Sequence, residues 1–297
     1  RGPYYYTSDS FLETLKIPNG LKIGVMVNAA EILSSKFDNP LKVIKKLFTN
    51  KKKSKVSLVR VACHLKEVKK ILKTIKWLKS KGYDVGINLM QIADKSKNEI
   101  IEVSSLVEKS NADVFYFADS MGSLDASKTL KIINIIRSRY KGNLGIHAHD
   151  NMGRALNNTL VASQSSVNWL DSTVMGMGRG PGNVKTESLI IEIEKKFKLK
   201  ISYLSLLNLI KNYFQKLYDK FQWGSNPFYY IAGMNNIHPS FIQGMLNDNR
   251  YGDMEILNVI ENLKSEGGKK FNKEILELRS QTYLKKVNGS LDPTTII

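Results

Sequence analysis

Gly145-Ile146-His147-Ala148-His149-Asp150-Asn151 holds two of the four histidines of the chain, spaced two residues apart. The run in front of them, residues 144–148, is short and apolar and reads as a buried strand. Side chains at i and i+2 of a strand point to the same side, so both imidazoles can face one ion. Neutral imidazole is a common metal ligand near pH 7. A histidine pair at a strand end can equally serve in hydrogen bonds alone, because a metal site needs further ligands. The rest of the chain has to decide between the two.

Working outward, apolar runs of strand length occur at residues 21–27, 56–62, 83–90, 114–118, 144–148 and 169–174. Their starts lie about 25 to 35 residues apart, the size of a β-α unit. Between them lie helical patterns. Ser8 or Asp9 can cap residues 8–16, and Asp38 with Pro40 opens another helix. Over residues 65–81, Val68, Ile71, Leu72, Ile75 and Leu78 share one face and Gly82 follows the end. Further helices are predicted over residues 98–109, from Asp125 to about 139, and over about 153–163.

The strands are continuously apolar, as in a parallel sheet covered on both faces. A doubly wound sheet and a (β/α)8 barrel share that pattern, and the polar residues separate them. Asn28, Cys63-His64, Asn88 with Gln91, Asp119-Ser120, residues 147–151 and Asp171-Ser172 all fall at or beyond the later part of a strand. Polar groups at the carboxyl end of every strand point to the shared mouth of a barrel, whereas a doubly wound sheet gathers them at one switch point. Any one of these residues alone is also a plausible turn former.

With 42% hydrophobic residues, the chain can build a sizeable core. A single cysteine, Cys63, rules out an internal disulfide and fits a reducing, cytoplasmic setting. No run approaches the ~20 apolar residues of a membrane span. The net charge is +18, but only eight of the 45 basic residues are Arg and the lysines are spread over outer helix faces. That favours a solvated surface over a nucleic-acid site, with polyanion binding as the alternative. Cys63 reads as a small buried residue with no activating partner.

After the last apolar run comes Met175-Gly-Met-Gly-Arg-Gly-Pro-Gly-Asn183, with four glycines in seven residues, and then a helix. Such a loop can approach a ligand closely, and the helix N-terminus can hold an anion. By itself the pattern is weak, since it has no Walker ending and does not follow the first strand of a nucleotide fold. Arg179 can meet a carboxylate or phosphate, or pair with a surface acid.

The His147-x-His149 stretch followed by Asp171-Ser-Thr-Val-Met-Gly-Met-Gly-Arg-Gly-Pro-Gly-Asn183 resembles the metal-dependent aldolase and acyltransferase superfamily of 3-hydroxy-3-methylglutaryl-CoA lyase. The resemblance covers roughly residues 1–190. The opening Arg1-Gly-Pro-Tyr-Tyr-Tyr-Thr7 looks closest to the 4-hydroxy-2-oxovalerate aldolase-like branch, and the glycine loop lacks the cysteine that the CoA lyases carry there.

The resemblance implies a TIM (β/α)8 barrel over residues 1–198, with a helical C-terminal region over 199–297. It implies a divalent ion, Mn²⁺ or Mg²⁺, held by His147 and His149, with Asn183 as a further ligand or as a group behind the ligands. That ion chelates pyruvate and stabilises its enolate, which is Lewis-acid catalysis. Ser120 matches a position that binds the keto-acid carboxylate, next to Asp119. His238 lies near where the aldolases place a tyrosine lining the site and is the candidate catalytic residue; a histidine capping the helix over 240–246 is the alternative. Arg60 and Asn88 are candidate substrate contacts, and a buried arginine can instead be paired internally. Relatives of the aldolase type pair with an aldehyde dehydrogenase, and a homodimer is also allowed.

One departure matters. The family's first strand carries an Arg-Asp pair, the Asp a metal ligand, and no such motif occurs here. The six strands match the third to eighth of the barrel, so the sequence is expected to lack the first two β-α units and to be impaired in metal binding and turnover. The resulting expectation is a lyase for 4-hydroxy-2-oxo acids. A Claisen-type acyl-CoA condensing enzyme and a non-catalytic polyanion-binding barrel are the alternatives.

Overall fold

The computed structural model describes residues 7–34, 39–198, 200–265 and 268–277; the opening residues 1–6 and the predicted cap Asp38 lie outside them, as does the end of a helix that the apolar spacing predicts over residues 271–278. Every predicted apolar run contains a strand: β1 (Ile23–Asn28), β2 (Val56–Cys63), β3 (Asp84–Leu89), β4 (Val114–Asp119), β5 (Asn143–Ala148) and β6 (Trp169–Leu170). They form one parallel sheet in the order β1-β2-β3-β4-β5-β6. A doubly wound sheet reverses its order at a switch point, whereas this one runs in sequence throughout, as a TIM-barrel wall does.

Two details depart from the sequence reading. The last strand is predicted over residues 169–174, yet the ladder holds only Trp169–Leu170. Asp171 and Ser172 therefore lie beyond it, and Thr173 pairs instead with the glycine loop, its N–H donating to Val184 O at 2.9 Å. Asn28 ends β1 as predicted, but its side chain is occupied: Oδ1 accepts Ala30 N–H at 3.0 Å and caps a short helix that the sequence reading lacks.

Contacts group the chain into two compact units, residues 1–118, 127–147 and 162–170 in one, and 119–126, 148–161 and 171–297 in the other. The first unit holds the sheet with helices α1 (Asp9–Glu13), α2 (Ala29–Ile32), α3 (Pro40–Leu47), α4 (Val68–Ser80), α5 (Lys97–Glu108) and nearly all of α6 (Ala126–Arg137). In α4 the apolar residues recur three and four apart, so Val68, Ile71, Ile75 and Leu78 share a face and are fully buried. Burying each contributes about 2 kcal/mol. Helix α5 starts at a capping box in which Ser96 and Glu99 satisfy each other's backbone amides. β1 has one neighbour and alternates in burial, leaving Met26 54% exposed, so it departs from the continuous burial of the inner strands.

Inside the sheet unit Arg60 and Asn88 are brought together. The Arg60 guanidinium donates to Asn88 Oδ1 at 2.7 Å and stacks 3.6 Å from the centre of the Tyr116 ring. Glycines make room for this layer. A side chain at Gly145 would begin 2.3 Å from the Tyr116 ring, and one at Gly86 3.1 Å from Arg60 Cγ.

Cys63 is completely buried at the end of β2, and desolvation followed by the nearby Glu67 carboxylate pushes its thiol up to about 12. Only thiolate reacts, so native protein should label with a maleimide at pH 7.5 at least ~100-fold more slowly than unfolded protein. Equal rates with and without urea would contradict this placement.

The second unit holds most of α7 (Ala155–Gln164) together with α8 (Thr186–Phe197), α9 (Tyr203–Leu209), α10 (Gln215–Phe221), α11 (Pro227–Met234), α12 (Pro239–Leu246) and α13 (Asp253–Ser265). A π-helical turn, Ile210–Phe214, joins α9 to α10. Tyr229, Ile237, Phe241, Ile242, Val259 and Ile260 lie at the centre of its apolar core. No helix among the described residues is long and apolar enough to cross a membrane.

Candidate metal centre

The second unit contains the segments that follow β4, β5 and β6, and these carry most of the residues singled out in the sequence. After β5 the chain stays extended at His149 and forms an antiparallel bridge with Asn183 at the end of the glycine loop. Next to it, Asp150 N–H donates to Gly182 O at 3.1 Å. The glycine loop folds back on itself through Asn183 N–H to Gly176 O at 3.0 Å. Gly182 has φ +77°, and a side chain there would begin 2.5 Å from Gly176 O, so this crossing of two backbones requires glycine. A non-glycine residue, Met175, also sits in the left-handed region at φ 53°, held by its N–H bond to Glu187 Oε2 at 2.9 Å.

His149 Nδ1 donates to the carbonyl oxygen of Ser120 at 3.0 Å. A carbonyl can only accept, so this contact places a proton on Nδ1, and in the neutral ring Nε2 is then the nitrogen able to bind a metal. Asn183 Nδ2 donates to Met177 O at 3.2 Å, while its Oδ1 is buried with no hydrogen-bond partner among the described residues. An orphaned buried amide oxygen beside an imidazole of fixed tautomer fits a divalent ion that takes mixed nitrogen and oxygen ligands. His147 belongs to β5 and is half-buried. Among the described residues no group of three or more His, Cys, Asp or Glu side chains gathers as a metal site.

Other predicted residues have work elsewhere. Asp119 is buried, and its two carboxylate oxygens accept Ser123 N–H and Leu124 N–H, each at 3.0 Å. It organises its own turn, as Asp readily does. Ser120 contributes its backbone carbonyl to His149. His238 takes the capping role: its Nδ1 accepts Ser240 N–H at 3.2 Å at the start of α12, with Pro239 in the first turn. Asp150 likewise caps α7 through Ala155 N–H at 3.0 Å, and burial raises its carboxyl above the ordinary value.

Sequence reasoning placed Asn151 among the polar strand-end residues without giving it a role, and it missed the segment from Trp223 to Ser225. Asn151 is fully buried, and its side chain fills the space that a Gly122 side chain would need, 2.4 Å from its Oδ1. Trp223, buried near the start of the C-terminal helices, reaches the glycine loop through Nε1–H to Met175 O at 2.9 Å. A lone buried tryptophan next to Gly-Ser was the available signal.

Sequential parallel strands, a His-x-His strand end and a glycine-rich loop bridged to it define a TIM-barrel-type α/β protein with a candidate metal centre. The family model described as HMGL-like matches residues 47–210, and the chain belongs to that family. It is 32% identical over 140 residues to a 4-hydroxy-2-oxovalerate aldolase of Pelotomaculum thermopropionicum, covering 47% of this chain and 41% of that protein. To the protein of the same name from Bacillus thuringiensis it is 27% identical over 189 residues, covering 62% and 54%. The chain thus spans about half the length of the curated relatives it matches. Among solved structures, the N-terminal domain of a proposed aldolase from Bacteroides vulgatus superposes with a TM-score of 0.68 at 26% identity, over 77% of this chain and 74% of that one. The carboxyl transferase domain of Rhizobium etli pyruvate carboxylase shares the fold, with a TM-score of 0.67 at 14% identity over 88% and 48%.

Proposed function

We propose that the chain carries the catalytic barrel of a divalent-metal-dependent carbon-carbon lyase that splits a 4-hydroxy-2-oxo acid into pyruvate and an aldehyde. The observation that carries this reading is the fixed tautomer of His149 beside the unpartnered Asn183 oxygen. Membership of the family and the names of the relatives supply the substrate class. His149 and Asn183 are the proposed ligands. His147 joins them by chain position, two residues earlier on the same extended segment. A bound Mn²⁺ or Mg²⁺ would act as a Lewis acid on the 2-oxo group.

The protein's own contribution is to orient and to hold. Ser120 fixes the His149 ring through its carbonyl. Ser120 also matches, by the family resemblance, a position that binds the substrate carboxylate. In the cleavage the 4-hydroxyl passes its proton to water, its C4–O bond becomes the aldehyde carbonyl as the C3–C4 bond breaks, the C3–C4 electron pair forms the C2–C3 double bond of the enolate, and C3 then takes a proton from water to give pyruvate. In this reading residues 1–198 carry the barrel and residues 199–297 the helical addition.

The test is Mn²⁺-dependent pyruvate release from 4-hydroxy-2-oxo acids, run on this chain and on the full product of its gene. The expected result is pyruvate release that depends on Mn²⁺ and stops after chelation. Thiol release from an acyl-CoA with no pyruvate formation would replace the lyase reading with a condensing enzyme.

A further inference from the structure

We infer that residues 223–225, backed by α11, are a positioning clamp that sets the two loops carrying His149 and Asn183. The inference rests on the reading of those two residues as ligands. Three consecutive residues each donate to a different point on the loops. Trp223 Nε1–H bonds Met175 O at 2.9 Å, Gly224 N–H bonds Gly180 O at 3.0 Å, and Ser225 Oγ–H bonds Asn151 O at 2.6 Å. The first two hold the glycine loop on both sides of its bend. The third holds the loop that follows His149.

Packing makes the clamp rigid. The Trp223 ring meets Tyr218 edge-on at 5.1 Å, and its Cδ1 lies 3.6 Å from where a Gly182 side chain would begin. Behind it, α11 touches both loops again. The Tyr229 hydroxyl lies 3.0 Å from where a Gly180 side chain would start, and a side chain at Gly233 would begin 3.1 Å from Asn151 Cβ. Neither loop is part of the sheet ladder, and the bridge between His149 and Asn183 is isolated. A two-residue bridge is a weak constraint on ligand geometry, and three hydrogen bonds from one short segment supply the missing constraint. Residues that orient ligands in this way typically change metal affinity or activity by about 10–100-fold when removed.

The full gene product is compared with Ser225→Ala, Ser225→Thr and Trp223→Phe. Three quantities are read: hydrogen exchange at the Asp150 and Asn183 amides, Mn²⁺ affinity by electron paramagnetic resonance, and kcat against KM for pyruvate release. Ser225→Ala and Trp223→Phe should speed exchange about tenfold or more and weaken Mn²⁺ binding about 10–100-fold. Activity should be lost mainly in kcat at saturating Mn²⁺, with the urea midpoint nearly unmoved. Ser225→Thr keeps the hydroxyl and should restore all three. Unchanged exchange in both damaging variants overturns the clamp while leaving the lyase reading intact. Faster exchange with unchanged Mn²⁺ affinity overturns its positioning role. A wild-type protein that binds no Mn²⁺ and releases no pyruvate removes the lyase reading and the positioning role with it, and the exchange data then show that the loops were nevertheless held.

Discussion

His149→Ala should lower Mn²⁺-dependent pyruvate release by the full gene product about 10³-fold or more, on the order of 4 kcal/mol in the barrier. The size follows from two losses. One is the imidazole proposed to bind the ion, whose ring the Ser120 carbonyl orients through Nδ1. The other is the ring that lies beside the Asn183 bridge. Asn183→Ala removes one neutral oxygen, and its effect should be smaller, about 10–100-fold. His238→Ala gives the contrast. It deletes a helix cap, which costs about 1 kcal/mol of stability, and leaves the rate per folded molecule within a few-fold. A ranking in which His238→Ala is the most damaging of the three would reverse the assignment. A His149→Ala protein with more than a tenth of the wild-type rate would remove His149 from the ligand set.

The contrast between His149 and His238 shows what a sequence of this kind makes legible. Strands were readable because their apolar runs are continuous and evenly spaced, and burial of both faces enforces that continuity. The capping option for His238 was readable because Pro239 marks the first turn of a helix. β6 was over-extended because residues 171–174 look like strand, while the Thr173 backbone bonds Val184 and Thr186, just beyond the glycine loop. Asp119 and Asn28 exposed a different ambiguity. A short polar side chain after a strand serves a site or captures its own turn equally well, and only geometry separates the two. The clamp was invisible for a third reason. Trp223 and Ser225 bond residues 48 and 74 positions away, and contacts at that range leave no periodicity in the chain.

Gly182→Ala tests whether the loop crossing beside Asn183 is as tight as its backbone implies. Two costs add. An alanine at φ +77° is strained by about 1–2 kcal/mol. Its Cβ would also lie 2.5 Å from the Gly176 carbonyl oxygen, a backbone atom that cannot swing away as a side-chain tip would. The loops must part, breaking the bonds from Asp150 N–H to Gly182 O and from Asn183 N–H to Gly176 O. A total destabilisation of about 3 kcal/mol or more is expected by urea unfolding. Gly153→Ala separates the two terms. Gly153 has a similar φ of +67° with nothing within 4 Å of the added carbon, so it should show the conformational cost alone, about 1 kcal/mol. Equal destabilisation by the two substitutions would mean that the crossing yields without resistance, and that neither Gly182 nor the bridge fixes the place of Asn183.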